Sequence, residues 1–504
     1  MRCLDSVAGK TSYPNFEILV IASEVENDPV AETCVRRARE TSPLEIRAIS
    51  APSSGNHATR CNAAVNASTD DFVLLIREDA VIIQEKWLEE LVRTCLQRDV
   101  VAASPRLISP GNSLIQNAGS VLGLNGLVGS PHQSTAKLGE AGYLDCLQIS
   151  RDVSILPAAC MLVRSAAYRA AGGMDEENLG DHYAAENLCL RLRQDEQRLI
   201  YQPLSTVVDG GCTPLDIESD TEKRLQAEEA KAKANLHFSK NWLAAGTSDP
   251  CWNPNLSLHA TQPGAETDFH PQWQYLPSDA PRILARPITG AQATYRVTSP
   301  LKALRRSGMA SECVWQMGGN RELSAAEMAR LAPDTVIVQH YLYDTHLAAL
   351  QAWQSLPERP FTVYTLDDLI TELDSSSPFR KNFPANSRTR LKYALARCDR
   401  LVVTTDFLAE VHRRFISDIR VVPNRLEQDI WLPLQSKKRT SRKPRIGWAG
   451  GSAHQVDLIL LKEVIEQTRN EADWIFFGMC PQEIRPLLAE FHPLVALEIG
   501  RAHV

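Results

Sequence analysis

The stretch from Asp152 to Asp209 narrows the fold more than any other part of the chain. It reads DVSILPAACMLVRSAAYRAAGGMDEENLG and, after a short loop, ENLCLRLRQDEQRLIYQPLSTVVD. A strand-like run ends in the small residues Pro157, Ala158, Ala159 and Cys160. A second apolar run follows, then a Gly172-Gly173 turn and an acidic loop. A short helix closes the series, with Leu188, Leu190 and Leu192 beside Arg191 and Arg193. Strand and helix signals alternate in this way over residues 1–215, the mark of an α/β layer fold.

Upstream, Phe16 to Ala22 is a short, mostly apolar run of the kind that forms a buried parallel strand. Leu44 to Ile49 and Asp71 to Ile76 are further strands, and Ala31 to Glu40, His57 to Ala67 and Glu85 to Gln97 read as helices. The last of these puts Trp87, Leu88, Leu91 and Val92 on one face. Residues 221–246 predict a charged, solvated helix, and residues 258–280, rich in Pro, Gln and His, a linker. A second α/β region opens at Arg282. Its strands are expected at Arg282 to Ala285, Thr335 to Val338, Thr362 to Tyr364, Arg400 to Val403 and Arg420 to Val422, with a helix from Pro300 to Ser307 ended by Gly308. After a basic linker, Lys437 to Lys443, another strand-turn unit begins at Arg445 (RIGWAGGSAHQVDL). A helix at Ile459 to Thr468 and a strand at Trp474 to Phe477 complete it.

At 504 residues the chain is too long for one core. A net charge of -7 argues against a nucleic-acid partner. No apolar run reaches the roughly 20 residues that cross a bilayer, and MRCLDSVAGK lacks a signal-peptide core. Twelve scattered cysteines without a CxxC pair point to free thiols in a reducing cytosol. Met1 falls inside an expected helix and the last six residues, IGRAHV, read like adapter sequence, so a fragment cut at both ends is expected.

The Asp152–Asp209 stretch resembles the acceptor half of inverting nucleotide-sugar glycosyltransferases with the GT-A fold, the large family two group. Gly172, Gly173, Met174, Asp175 and Glu176 match that family's turn, and Leu188, Cys189 and Arg191 match its helix. Asp249 to Leu256 (DPCWNPNL) resembles the segment that follows such domains in bacterial O-antigen and surface-polysaccharide enzymes. The resemblance implies a nucleotide-sugar donor, a Mg²⁺ or Mn²⁺ cation and a glycan or lipid-linked glycan acceptor. It also implies a cytoplasmic location with peripheral contact at the inner membrane face.

Sugar transfer needs the leaving diphosphate neutralised, the acceptor hydroxyl deprotonated and the two held in line. Phe72 to Ile76 leads into Arg77-Glu78-Asp79, at the strand end where open α/β sheets bind ligands. By the resemblance Asp79 and Glu78 hold the metal, because carboxylate oxygens suit Mg²⁺ or Mn²⁺, and Asp209 joins them. Glu24, Asn62 and Arg77 fall to the nucleotide, and Glu186 or Asp181 to the catalytic base. A solvated acidic loop is the plainer reading of residues 77–79. Three departures stand against activity. Ala22 replaces an expected acid, Arg77 replaces the first acid of D-x-D, and Ala184-Ala185 replace the acidic pair before the helix. An arginine there repels a metal but is able to bind diphosphate itself. A lost base forfeits roughly 10²–10⁴-fold in rate. The alternative to an active enzyme is therefore a degenerate GT-A scaffold that binds nucleotide or glycan for the second region.

That second region resembles GT-B glycosyltransferases of the family-four type, on Tyr295-Arg296-Val297, Pro300-Leu301, Pro423-Asn424, Gly447 to Gly451, His454 and Asp457. The implied donor contacts are Gly447, Gly450, Gly451 and His454. A plain strand-helix turn and a structural histidine are the alternatives. The acidic pair Asp367-Asp368 reads equally as helix-start caps. The expected layout is a Rossmann-like mixed-sheet GT-A domain over 1–215 and a helical extension and linker over 216–280. A GT-B type Rossmann-like domain over 281–440 follows, with the start of a second over 441–504. A nicotinamide-type Rossmann enzyme is disfavoured, since no G-x-G-x-x-G follows a strand.

Overall fold

The computed structural model describes residues 2–23, 33, 35–39, 44–52, 55–211, 221–266, 279–315, 321–372, 380, 383–434, 443–451 and 455–493. Glu24, His454, most of the 437–443 linker and the IGRAHV end lie outside the described residues. The chain forms two compact units. The first contains residues 1–276 with 317–334 and 349–360, and the second contains 277–316, 335–348 and 361–504.

The first unit is built on a seven-stranded mixed sheet. Its centre is Val100–Ile108, buried at every position. This strand runs parallel to Arg198–Val208 and antiparallel to Cys160–Arg164, which is in turn antiparallel to Phe72–Ile76. Alternate residues serve opposite faces, as the two-residue strand period requires. Val73, Leu75, Met161 and Val163 enter one core with Ala58, Val65, Leu188 and Phe238. Phe72, Leu74, Cys160 and Leu162 enter another with Trp87, Leu91 and Cys95. The His57–Ala67 and Ala184–Leu192 helices thus cover one face and Trp87–Cys95 the other. A two-stranded parallel sheet, Ile18–Ser23 with Ile46–Ala51, belongs to the same unit.

Two expectations change. The run before Pro157 is not a regular strand: Arg151–Asp152 pairs with Tyr201 and Ile200, and Ile155 makes an isolated bridge to Ser120. Ser154 instead donates to Asp249 Oδ1, which ties this run to the DPCWNPNL segment. The expected single helix over 459–468 is two, Gln455–Leu460 and Lys462–Thr468.

The second unit carries a wholly parallel six-stranded sheet. Spatially the order is Ser311–Val314, Arg282–Arg286, Thr335–Gln339, Phe361–Leu366, Arg400–Val403, Ile419–Val421. Arg282–Arg286, the first strand of this sheet in sequence, lies second in space, so strand order reverses beside it, which is where doubly wound sheets open a crevice. A separate three-stranded parallel sheet is made by Arg445–Gly450, Asp473–Gly478 and Glu490–His492. Among the described residues the cysteines are free thiols, and no helix is long and apolar enough to cross a membrane.

Candidate functional site

Two strand ends meet in the first unit. Antiparallel pairing sets Val207 against Ile82 and Val208 against Val81. Residue 209 is thereby delivered to the turn that follows Phe72–Ile76. That turn is closed by the Ala80 N–H donating to the Arg77 carbonyl at 3.2 Å. It is anchored by the Arg77 N–H donating to the Ala159 carbonyl at 3.0 Å. Gly210 permits the approach, because a Cβ there would stand 2.7 Å from the Asp79 carbonyl oxygen.

The result is a closed ionic triad. Arg77 Nε donates to Asp79 Oδ1 at 3.1 Å and Nη2 to Asp79 Oδ2 at 3.2 Å. The same Nη2 donates to Asp209 Oδ1. This is the forked geometry that makes guanidinium–carboxylate pairs strong. The three side chains are only 29%, 22% and 15% exposed, respectively, so solvent screens them less than a surface pair. Glu78 is exposed beside them.

Asp79 and Asp209, expected as metal ligands, are therefore together, but around a guanidinium. A divalent cation binds carboxylate oxygens directly, and three of the four oxygens here already accept from Arg77. Among the described residues no group of three or more His, Cys, Asp or Glu side chains converges on one point. As arranged, the carboxylates of Asp79 and Asp209 are taken up by Arg77 rather than presented to Mg²⁺ or Mn²⁺, and Glu78 stays apart on the surface.

Asn62 also does other work than expected. Its Nδ2 donates to the Met174 carbonyl at 3.0 Å and to Glu176 Oε1 at 2.6 Å. Its Oδ1 accepts from the Tyr168 hydroxyl at 2.6 Å and the Met174 N–H at 2.9 Å. The amide is saturated in clamping the Gly-Gly turn and has nothing left for a nucleotide. Gly173 takes φ +70° there, and a Cβ would come within 2.6 Å of Asn62 Oδ1. Arg191 holds the same turn from the Ala184–Leu192 helix, donating to the Ala171 and Gly173 carbonyls.

Of the two base candidates, Asp181 is engaged: its Oδ1 accepts from the His57 N–H at 2.7 Å and caps that helix. Glu186 lies in the first turn of the Ala184–Leu192 helix, where burial raises its pKa above the usual carboxylate range. Ala184 and Ala185 are buried beneath it in the core.

His57 was read only as a helix start, yet it links the two sides of the site. Asp181 caps its backbone, and its ring lies within electrostatic range of Arg60, Asp181, Arg77 and Glu78. Burial, and then Arg60, lower its pKa below the ordinary imidazole value. The signal was an Asn56 cap placing an imidazole at the first helical position.

A cavity of about 510 Å³ opens elsewhere in this unit, lined by Asp175, Arg191, His237 and Trp242 among others. None of the triad residues lines it. In the second unit, Gly447 lies inside the Arg445–Gly450 strand, paired with Ile475, and not in a turn. A Cβ on Gly447 or Gly451 would meet nothing within 4 Å, and one on Gly450 would come within 2.6 Å of the Trp448 ring.

Residues 1–229 match the family described as "Glycosyltransferase like family 2". A relative from Sinorhizobium fredii, "Uncharacterized protein y4gI", is 30% identical over 266 residues, 51% of this chain and 27% of its own length. The "O-antigen biosynthesis protein RfbC" of Myxococcus xanthus is 25% identical over 270 residues, 53% of this chain and 20% of its own. The chain thus spans about a quarter of the length of these relatives. Among solved structures, a mannosyltransferase from Pyrobaculum calidifontis in complex with GDP-Man and Mn²⁺ aligns at 16% identity and a TM-score of 0.31. It covers 49% of this chain and 70% of its own. The N-terminal part of this chain, residues 1–229, is a glycosyltransferase family 2 domain.

Proposed function

We propose that the first unit binds a nucleotide sugar at the Arg77–Asp79–Asp209 edge and that the protein transfers its sugar to a growing bacterial surface glycan. The observation that carries this is the convergence of two strand ends, 132 residues apart in sequence, into one partly exposed charged cluster. It lies where open α/β sheets take their ligands, within a domain whose family is known for this chemistry. The O-antigen relative supports a surface-glycan acceptor. Glu186 is the base we assign to the acceptor hydroxyl. Burial raises its pKa above the usual carboxylate range, the direction that strengthens a carboxylate as a base. Asp181 positions the His57 helix. No step is assigned to a divalent cation.

The parallel six-stranded sheet and the separate three-stranded one support reading the second unit as GT-B-like, with a nucleotide-sugar site of its own. The cytoplasmic location, with peripheral membrane contact, follows from a lipid-linked acceptor and is part of the same proposal.

A second reading is favoured by the substitutions themselves: Arg77 neutralises the carboxylates, and Ala184 and Ala185 are core residues. The first unit would then bind donor or glycan without turnover. Release of nucleotide from a panel of UDP-, GDP- and dTDP-sugars, with and without acceptor glycan, separates the two. Turnover lost in Glu186→Gln supports transfer by this unit. Silence across the panel with intact nucleotide binding overturns it in favour of the scaffold.

A further inference from the structure

The cavity of about 510 Å³ in the first unit opens between the Gly172-Gly173 turn, the Ala184–Leu192 helix and the Thr221–Gly246 helix. Its size is that of a small-molecule site, roughly 300–1,000 Å³. Phe238, 1% exposed, docks the Thr221–Gly246 helix here, its ring stacked on Tyr183 at 4.8 Å between centroids. Residues four apart share a helix face. His237 and Asn241 therefore line one wall together, with half-buried Trp242 beside them.

These walls have bonding capacity left over. Asn187 is 8% exposed and lines the cavity. Its Oδ1 accepts from Trp242 Nε1 at 2.8 Å. An indole N–H only donates, so the amide is fixed one way round and its Nδ2 has no partner among the described residues. A buried donor is rarely left so. The exposed amides of Gln194 and Asn241 are likewise without protein partners among the described residues. His237 Nε2 stands 3.6 Å from Asp175 Oδ2, beyond hydrogen-bond reach. Asp175 Oδ1 accepts from the Glu177 N–H at 3.1 Å and the Asn178 N–H at 2.9 Å, whereas Oδ2 meets the Asn178 amide alone, at 3.3 Å. A hydroxyl beside this pair accepts from the imidazole and donates to the carboxylate.

Charge narrows the ligand further. Asp175 and Arg191 both line the cavity, and their opposite charges cancel. A phosphate or carboxylate would face the open oxygen of Asp175, and a cation would face Arg191. A neutral ligand rich in hydroxyls meets neither penalty. It bonds to the amides, the imidazole and the carboxylate, and lays its C–H surface on the indole. That is the chemistry of a sugar ring. We infer that this cavity is a saccharide subsite, which holds a neutral sugar unit of a glycan away from the Arg77–Asp79–Asp209 edge. The inference does not need transfer at that edge, because a scaffold that only binds glycan would use the cavity equally.

The test uses the full chain with no nucleotide and no metal. Maltotriose, mannotriose and galactotriose are the neutral probes, and trigalacturonic acid is the anionic one. Binding is followed by saturation-transfer difference NMR and calorimetry. At least one neutral trisaccharide should bind, and trigalacturonic acid should bind at least about tenfold more weakly, the scale of one repelled charge. Trp242→Ala should weaken the neutral sugar at least about tenfold, through lost apolar contact. Asn241→Ala and Gln194→Ala should each weaken it about two- to tenfold, the scale of one neutral hydrogen bond. Both of these side chains are exposed, so the two variants decide the matter if Trp242→Ala fails to fold. Neutral-sugar binding that is unchanged in all the folded variants overturns the site. Tighter binding of trigalacturonic acid overturns the neutral class. Silence across the neutral probes overturns the whole inference, while nucleotide release still decides transfer by itself. Sugar binding lost in these variants, with no nucleotide released from any donor, upholds the subsite and sinks the transfer reading alone.

Discussion

The C-terminal strand ends of the two main sheets treat charge in opposite ways. In the first unit, Arg77, Asp79 and Asp209 satisfy one another. In the second, the corresponding edge keeps buried polar atoms without hydrogen-bond partners: Arg296 Nε, Asp367 Oδ1 and His340 Nε2. Arg296 is 9% exposed and holds the Val422 carbonyl at 2.6 Å and Asn424 Oδ1 at 3.2 Å through Nη1. Gln292 Nε2 donates to Asp368 Oδ2 at 2.5 Å. Buried polar groups are nearly always paired. The contrast teaches that two α/β sheets, one mixed and one parallel, end in a self-paired charged cluster on one and in an edge with unused bonding capacity on the other.

If the first edge is where chemistry occurs, the largest effect belongs to Glu186. Replacing it with Gln should lower the transfer rate by roughly 10²–10⁴-fold, the contribution of a general base. Stability should not fall with it. A carboxyl whose pKa is raised in the folded state stabilises below the unfolded pKa, and that benefit is lost as pH rises through the folded value. Glu186→Gln removes a half-buried carboxyl whose ionisation costs stability, so its melting temperature above the ordinary carboxylate range should equal or exceed that of the wild type. A lower rate with an equally lower melting temperature would mark Glu186 as structural and leave the first edge without a base.

The next effect tests whether the first edge is closed by its own network. Asn62→Ala leaves the Met174 N–H, the Met174 carbonyl, the Tyr168 hydroxyl and Glu176 without their partner. We expect a loss of about 2–4 kcal/mol in denaturant unfolding. A loss well under 1 kcal/mol would mean that water replaces Asn62 easily, and that the turn is not held from the His57–Ala67 helix.

The same residues show how much of this was legible beforehand. The His57–Ala67 helix and the Arg400–Val403 strand have the bounds expected from sequence. One has a side-chain cap from Asn56, and the other is a short apolar run between polar neighbours. The central strand Val100–Ile108 went unread. Its sequence VVAASPRLI is buried on both faces, shows no alternation, and contains Pro105. Proline is a poor central-strand residue, and it is accommodated because the partner strand shifts register between Gln202 and Thr206. At the site, the meeting of residues 79 and 209 is expected from the family resemblance, while the strand register that produces it is carried by no local pattern. The family resemblance assigns Asn62 to the nucleotide, and spacing does not distinguish a free amide from one saturated by the Gly-Gly turn. Arg77 read as an intruder; only side-chain geometry shows that it bridges both carboxylates.

A smaller change probes the packing that makes the closed edge. Gly210→Ala adds a methyl group 2.7 Å from the Asp79 carbonyl and 3.0 Å from its Cβ. The strand end must retreat, at a cost of about 1–3 kcal/mol for overpacking against backbone. The separation of Asp209 from Arg77 should show as weaker UDP or GDP binding in the same protein. Undiminished binding would show that Asp209 is dispensable to the triad.

The mildest prediction addresses the open edge. Burial, and then Asp368, raise the pKa of Asp367, so the folded protein holds that proton to higher pH than the unfolded chain does. Stability therefore falls as pH rises from the ordinary carboxylate range through the raised value. Asp367→Asn cannot titrate. Its melting temperature should match the wild type in acid and exceed it at neutral pH, with the gap opening across that window. A variant that is instead less stable at neutral pH would mean that the ionised carboxylate is held by Arg296. The second edge would then be neutralised from within, as the first is, and its unpartnered atoms would carry no difference between the two sheets.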